Sequence, residues 1–266
     1  MSEASARLEK RYLTISAASS ALVGCVGLVI ALLSSSQAIM LDGLFNLVYF
    51  CTAIFTVRIV SLVMAGDDAR FPYGYAYFEP LVNGMKGMLM LGVSMMALVG
   101  ALQTLMVGGR TIAAGIAIAY GVFACLTCGI TAYTTRQGAQ LTGSPMVQAD
   151  ADNWLVNTAY SACVLIAFLG IFVLRALNLD AMTPFVDPSV VLAVVAVSLG
   201  IPVRMSWKAL MELLNRAPDR SVVDQVTEIV DASVKDLPVQ ERFVRVVQPG
   251  RQRIILVHVV LPSDYN

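Results

Sequence analysis

The chain has 266 residues, of which 58% are hydrophobic and 14% are charged, whereas soluble globular domains carry about 25% charged residues. This composition predicts an integral membrane protein and excludes an ordinary soluble domain. The 18 basic and 18 acidic residues balance, so the basic excess that is typical of nucleic-acid-binding proteins is absent and no nucleic-acid partner is expected.

Six apolar segments are each long enough to cross a bilayer, which takes about 20 residues. They cover 12–34, 38–64, 81–107, 111–134, 147–174 and 188–214. Asp187 and Pro188 are typical of a helix N-cap and first turn, and they mark the start of the sixth segment. The sequence therefore predicts an all-α membrane domain, a bundle of six transmembrane helices.

Lys and Arg are unevenly distributed around these segments. They are concentrated before the first span, in the second and fourth connections and at the end of the last span, whereas the first connection has none. Because positive residues favour the cytoplasmic side, both chain ends are predicted to be cytoplasmic. We expect a multi-pass protein of the cell membrane. No cleavable signal peptide is expected, since the first apolar segment is too long for one and leads directly into another span.

The composition becomes polar after the sixth segment. A helical pattern covers 221–237, with Ser221 as its expected cap, and two strand patterns at 242–247 and 253–261 flank a Pro-Gly turn. The predicted domains are therefore a transmembrane domain, 1–216, and a partial cytoplasmic domain, 217–266. Because a two-stranded unit is marginal alone, either the chain carries part of a small α+β domain, which we favour, or partner contacts complete it.

Two polar pairs interrupt the apolar spans. Asp42 and Asn46 lie in the second span, Asn153 and Asn157 lie in the fifth, and each pair has the i, i+4 spacing that places both side chains on one helix face. Polar residues are costly in lipid and mark ion or substrate sites. The four side chains are predicted to form one cation site, although each asparagine could instead bond a neighbouring helix.

Two further residues could extend this site. Asp150 lies on the same helix stripe as Asn153 and Asn157, nearer the start of the span, and would add a second carboxylate. Its alternative role is an N-cap at the membrane interface. Tyr49 follows Asn46 at i+3 and could offer a hydroxyl.

The five cysteines all lie in apolar runs and are interpreted as small packing residues. Cys125 and Cys128 have the spacing of a zinc or redox pair. No histidine or second pair lies near them in the sequence, so we assign them no metal.

Four segments form an ordered series of motifs: DGLFN at 42–46, FPYGYAYFE at 71–79, QADADNWLVN at 148–157 and LMELLN at 210–215. In this order and on these spans, the chain resembles the cation diffusion facilitator family of secondary transporters. The resemblance implies six spans with cytoplasmic termini, a C-terminal ferredoxin-like α+β domain, which is incomplete here, and a homodimer in the lipid bilayer. It implies cation efflux as the activity.

The departures from the family pattern concern the cation site. Typical members have three carboxylates and one imidazole at the positions that match Asp42, Asn46, Asn153 and Asn157. The only histidine, His258, lies in the predicted soluble hairpin. A formal charge of about −1 leaves a divalent ion under-compensated, and oxygen donors favour hard cations. We therefore expect Na⁺ or a Mn²⁺- or Mg²⁺-like ion rather than Zn²⁺, with Zn²⁺ or another divalent transition metal as the alternative substrate.

A second metal site of some family members matches Asp68, Phe71 and Tyr75 in this chain. Because aromatic residues replace both of its histidines, we expect that site to be absent. Tyr77 likewise stands where relatives have a basic residue that helps to lock the dimer.

The resemblance and the residues together predict a cation/proton antiporter in which Asp42 is both cation ligand and proton acceptor. Protons are the expected counter-ion, and no resident cofactor is expected. An enzyme is not expected, because a hydrolase would need a nucleophile with its base or a metal site, and the spans contain no histidine. The alternative is a degenerate, non-transporting family member that acts as a partner or scaffold subunit.

Overall fold

A computed structural model of the chain describes residues 3–65, 68–72, 74–143, 145–235, 237–250 and 252–262. The helices of the membrane domain are α1 Glu3–Ser34, α2 Gln37–Ala65, α3 Phe78–Met106, α4 Ala114–Thr142, α5 Pro145–Ala176, a 3₁₀-helix at Asp180–Phe185, α6 Val186–Ser198 and α7 Gly200–Leu213. They are followed by α8 Arg220–Ser233 and by the strands β1 Glu241–Val247 and β2 Ile254–Val260.

Six helical segments of the described residues are long and apolar enough to cross a membrane: Arg7–Ser34, Gln37–Phe55, Phe78–Met106, Ala114–Thr142, Asp150–Ala176 and Asp180–Leu213. Each corresponds to one segment found by hydropathy, so the predicted six-helix membrane architecture is confirmed. The positive-residue argument for cytoplasmic termini stays a prediction.

The sixth span is not the single helix that its apolar run predicts. It consists of the 3₁₀-helix, α6 and α7, and the break between α6 and α7 falls at Leu199. Pro202 follows the break, and a proline has no N–H with which to bond the carbonyl four residues earlier. The helical hydrogen-bond pattern of the span is therefore interrupted next to the residue where that backbone bond is missing.

The sequence predicted that Asp187 is the N-cap of its own helix, and this prediction is wrong: the N-cap position belongs to Phe185. Asp187 is the second residue of α6 and is 1% exposed. Its carboxylate accepts hydrogen bonds from Ser36 Oγ at 2.5 Å, from Gln37 N at 2.8 Å and from Ala38 N at 3.3 Å. These N–H groups belong to the first turn of α2, so Asp187 caps α2 across a long sequence separation and fixes where that helix begins.

The chain divides into two compact units, one of 1–55 and 88–203 and the other of 56–87 and 204–266. The core of the first unit contains many small residues, among them Ala31, Ala97, Ala101, Ala117 and Ala124. Small side chains allow helix backbones to approach closely in a membrane, where the hydrophobic effect contributes little to helix association. Phe168, Ile171 and Val191 fill the remaining space.

Helices α1 and α2 approach each other closely at Gly27 and Gly43. A Cβ atom added at Gly27 would lie 3.0 Å from the Cα atom of Gly43 and 2.7 Å from the hydroxyl oxygen of Tyr120. Glycine at position 27 therefore permits both the α1–α2 contact and the position of Tyr120.

The second unit contains α8 and an antiparallel hairpin in which Glu241 pairs with Val260 and Val247 with Ile254. Both predicted strands are confirmed. The turn between them includes Gly250, whose φ of +59° lies in the left-handed region. His258 is on β2, exposed and opposite Phe243.

The start of α8 differs from the prediction by two residues. The N-cap position belongs to Asp219 rather than Ser221, and the Asp219 carbonyl accepts a hydrogen bond from Val222 N at 2.9 Å. Ser221 lies inside the first turn, because Asp219 already has the non-helical backbone angles of an N-cap, φ −54° and ψ 144°. The helix ends at Ser233, earlier than the predicted residue 237.

Candidate cation site

Asp42 lies in α2 and is buried, with 4% of its surface exposed. Its Oδ2 atom accepts a 2.5 Å hydrogen bond from the Tyr120 hydroxyl, and its Oδ1 atom accepts a 3.2 Å bond from Asn46 Nδ2. The same Asn46 nitrogen donates to the Asp42 backbone carbonyl at 2.9 Å. The i, i+4 spacing of Asp42 and Asn46 thus places the amide directly against the carboxylate.

Asn157 connects α5 to this pair. Its Nδ2 atom donates to Asn46 Oδ1 at 3.4 Å and to Cys128 Sγ at 3.5 Å. A continuous chain of hydrogen bonds therefore runs from Asn157 through Asn46 to Asp42, and Tyr120 reaches the same carboxylate from α4. The structure brings together three of the four residues that the sequence proposed: Asp42, Asn46 and Asn157.

Asn153 is not joined to the other three. It is exposed, and among the described residues its side chain makes no hydrogen bond. The buried stripe of α5 contains Trp154, Ser161 and Phe168. Because successive helix residues are turned by about 100°, Asn157 is about 60° around the helix from Trp154, whereas Asn153 is about 100° away. Helix rotation therefore places Asn153 at the edge of the stripe, one turn nearer the start of α5.

Tyr49 and Asp150 lie close enough for the Asp150 charge to act on the Tyr49 hydroxyl. One carboxylate oxygen of Asp150, Oδ2, is buried. Tyr49 is one helical turn after Asn46 on α2, and Asp150 lies one turn before Asn153 on α5. The electrostatic interaction therefore relates the two accessory candidates to each other.

Tyr120 was missed by the sequence reasoning, because a single tyrosine in an apolar span resembles many packing residues. The ring lies in the core of the first unit and packs near Phe123, with 6.3 Å between ring centroids. The hydroxyl reaches Asp42 through the space that Gly27 leaves open. A carboxylate buried in a span requires donors from its neighbours, and that requirement was the available signal.

Cys128 was interpreted as a packing residue, and it is fully buried. Its sulfur also accepts the Asn157 hydrogen bond and lies 4.0 Å from Ser161 Oγ. Cys125, by contrast, faces the Thr158 carbonyl, at 3.9 Å from that oxygen. The predicted all-oxygen surroundings of Asp42 therefore omitted one thiol.

The donor set determines which cation these residues fit. Within the described part of the chain, no group of three His, Cys, Asp or Glu side chains is placed to hold a metal ion. A cation at Asp42 would therefore be held by one carboxylate and by neutral donors. The amides of Asn46 and Asn157 now point their nitrogens along the hydrogen-bond chain, and each would present its oxygen to a cation after rotating by about 180° about its terminal bond.

In the loop before α3, the Asp68 carboxylate accepts hydrogen bonds from other residues of the same loop. Asp68 Oδ2 accepts a 2.6 Å bond from the Tyr75 hydroxyl, and Oδ1 accepts 2.8 Å bonds from the backbone nitrogens of Phe71 and Arg70. The Tyr75 hydroxyl and the two amides hold the pKa of Asp68 below its ordinary value, and the same contact raises the pKa of Tyr75. Tyr73, which belongs to the matching motif, lies outside the described residues.

A family model covers most of the chain and overlaps all six membrane-spanning segments. Residues 13–214 match the family model described as the cation efflux transmembrane domain. A search of curated proteins gives no match.

Proposed function

The chain belongs to the cation diffusion facilitator family of cation efflux transporters, and we propose that it exports a cation from the cytoplasm in exchange for protons, at a site centred on Asp42. The observation that carries the proposal is a buried carboxylate in an apolar span, contacted by donors from α4 and from its own helix. A carboxylate is costly at that depth unless it binds something.

The exchange of a cation for protons follows from the single carboxylate of the site, that of Asp42. Either a proton or a cation can neutralise Asp42, and a buried charge is strongly unfavourable without one of them. The two ions therefore compete for the same group, and release of one favours binding of the other. Rocking of the helix bundle would expose the site alternately to each side of the membrane, as in other secondary transporters.

The neutral donors set the choice of cation. Asn46 and Asn157 supply amide oxygens, which are hard ligands, and the formal charge of the site is about −1. The hard oxygen donors favour Na⁺ or a Mn²⁺- or Mg²⁺-like ion over Zn²⁺, and the charge of about −1 is best matched by a monovalent ion such as Na⁺. Asn153, Tyr49 and Asp150 would serve the cation on its way from the cytoplasmic side, where Asp150 provides negative charge.

Two alternatives have support from particular residues. Zn²⁺ or another divalent transition metal is the alternative substrate, because the Cys128 thiol next to Asn157 is a soft donor. A non-transporting partner or scaffold subunit is the alternative function, because the hydrogen bonds of Asn46 and Tyr120 satisfy Asp42 without a cation.

The remaining expectations complete the proposal. We place both termini in the cytoplasm of the cell, with 1–216 as the transport domain and 217–266 as a partial cytoplasmic domain, and we propose a homodimer. We propose a transporter rather than an enzyme, with the cation and protons as its ligands.

The test is flux into proteoliposomes of Na⁺, K⁺, Mg²⁺, Mn²⁺ and Zn²⁺ under an imposed pH gradient. We expect Asp42→Ala to abolish both the cation flux and the coupled proton flux. Asp152→Ala is the matched control, since Asp152 is exposed and bonds Gln148 on its own helix, and it should transport normally. Equal flux by Asp42→Ala and the wild type would refute the site, and flux of Zn²⁺ alone would refute the choice of a hard cation.

A further inference from the structure

Tyr160 is a polar residue of α5 that the proposed site does not use. Its ring packs against the apolar cluster that contains Tyr120, Val164 and Phe168. Its hydroxyl oxygen is buried and has no hydrogen-bond partner among the residues that the structure describes. A buried hydroxyl without a partner destabilises a fold, so an oxygen held in this way suggests a ligand that satisfies it.

The position of Tyr160 points to that ligand. It follows Asn157 at i+3 and so shares its face of α5. The charge of Asp42 acts on the Tyr160 hydroxyl, and Tyr160 in turn interacts electrostatically with Tyr120, whose hydroxyl bonds the same carboxylate. The Tyr160 hydroxyl therefore interacts electrostatically with the carboxylate, whose side-chain hydrogen bonds come from Tyr120 and Asn46 instead.

We propose that the Tyr160 hydroxyl is a further ligand of the transported cation at Asp42, and that it selects for a hard cation. This inference rests on the proposed function. A phenol supplies a neutral, hard oxygen, and a cation bound between Asp42 and Tyr160 would satisfy the Tyr160 oxygen, which has no hydrogen-bond partner in the part of the chain that the structure describes. It would raise the number of oxygen donors without adding charge, which suits Na⁺ better than a soft metal ion.

Tyr120 and Tyr160 differ in a way that can be measured. The Tyr120 hydroxyl already bonds Asp42, so its removal weakens the cation-free protein. The Tyr160 hydroxyl has only a cation to gain, so its removal leaves the cation-free protein equally stable or more stable. A water molecule bound to Tyr160 would give a third pattern, because losing its hydrogen bond lowers stability whether or not a cation is added.

The experiment compares the full chain with Tyr160→Phe and with Tyr133→Phe. Tyr133 is the control because it is a 65% exposed residue of α4 whose hydroxyl bonds Gln137. The thermal midpoint is measured without added cation and during titration with Na⁺, Mg²⁺, Mn²⁺ and Zn²⁺, and flux is measured for the same ions. For Tyr160→Phe we expect an unchanged or higher cation-free midpoint, together with about tenfold weaker apparent affinity for the preferred hard cation.

Wild-type affinity in Tyr160→Phe would overturn the assignment of Tyr160 and leave the proposed function intact. A lower cation-free midpoint with an unchanged cation response would overturn it as well, in favour of bound water. A folded wild type that responds to none of the cations would refute the proposed function itself, and with it the role of Tyr160. That outcome is recognised from the wild type alone, so the two failures are distinct.

Discussion

The hydroxyl of Tyr120 donates a 2.5 Å hydrogen bond to Oδ2 of Asp42, and this bond joins α4 to α2 within the first two turns of each helix. Hydrogen bonds to a charged group are stronger than those between neutral groups. The bond therefore holds the carboxylate in one orientation and leaves its other oxygen to Asn46. Tyr120 positions the group at which we propose that the cation and the proton compete.

Replacement of Tyr120 by phenylalanine removes this donor and keeps the ring. We expect the cation-free protein to lose about 1.5–3 kcal/mol of stability, the usual contribution of a hydrogen bond to a charged group, and we expect slower cation flux. Thermal or denaturant unfolding in detergent measures the first effect, and proteoliposome flux measures the second. Tyr133→Phe should change neither quantity, and an unaltered Tyr120→Phe protein would show that the bond has no role.

Gly27 provides the space in which Tyr120 reaches Asp42. An alanine there would bring its Cβ within 2.7 Å of the Tyr120 hydroxyl and 3.0 Å of the Gly43 Cα atom. We expect Gly27→Ala to destabilise the protein by about 1–3 kcal/mol through overpacking and to reduce flux.

Gly170→Ala is the control for this substitution. Gly170 also lies within a transmembrane helix, but a Cβ atom added there would meet no atom within 4 Å. Alanine should be neutral or should stabilise the helix by up to about 1 kcal/mol. If both alanine variants behaved alike, the close approach at Gly27 would not matter for the site.

The sequence predicted those parts of the structure that depend on local spacing. Hydropathy located the six spans, alternation located the hairpin, and the i, i+4 rule placed Asn46 against Asp42. The same rule was insufficient for Asn153, because spacing relates a residue to its own helix only. The rotation of α5 against its neighbours decides that Asn157 faces Asn46 while Asn153 is exposed.

Long-range partners were the second part that sequence reasoning missed. Asp187 stands where an N-cap is expected, yet its carboxylate bonds Ser36 and the first turn of α2, about 150 residues away. Tyr120 reaches Asp42 in a similar way from α4. In both cases the residue type was visible, but its partner depends on how the helices pack, for which one sequence gives no local rule.

Asp187→Ala should destabilise the start of α2 more than an ordinary cap substitution does. It leaves the backbone N–H groups of Gln37 and Ala38 and the Ser36 hydroxyl without their acceptor, and each unsatisfied buried group costs about 1–3 kcal/mol. We expect a lower unfolding temperature and faster hydrogen exchange at residues 37–40. Asp180→Ala is the control, since Asp180 is exposed. Equal midpoints for the two variants would contradict the role of Asp187 in capping α2.

The Asp68 loop has a pH dependence that can be tested outside the membrane. Because the folded pKa of Asp68 is lowered, the contribution of its carboxylate to loop order is present above the unfolded pKa of about 4 and is lost as the pH falls through the folded value. Tyr75→Phe removes the hydrogen bond that contributes most to lowering the pKa of Asp68, so this pKa should rise towards its ordinary value. A ¹³C titration of the carboxyl group measures this shift.

The control for the loop is Tyr77→Phe. The Tyr77 hydroxyl donates to Asn215 Oδ1 at 2.6 Å and not to Asp68. Its loss should leave the Asp68 titration unchanged. A Tyr75→Phe protein whose Asp68 titrated as in the wild type would show that the backbone amides alone lower the pKa.

Substitution of Cys128 by serine distinguishes a hard transported cation from a soft one. Its sulfur accepts a hydrogen bond from Asn157 at 3.5 Å, and a serine oxygen could accept the same bond. If the cation is hard and is bound by Asp42 and neutral oxygens, Cys128→Ser should keep flux of the preferred ion within about threefold, which is less than 1 kcal/mol. A soft metal ion held by the thiolate would instead lose most of its flux. Cys163→Ser, at an exposed position, controls for the loss of a thiol, so a selective loss of Zn²⁺ flux in Cys128→Ser would favour the transition-metal alternative over Na⁺.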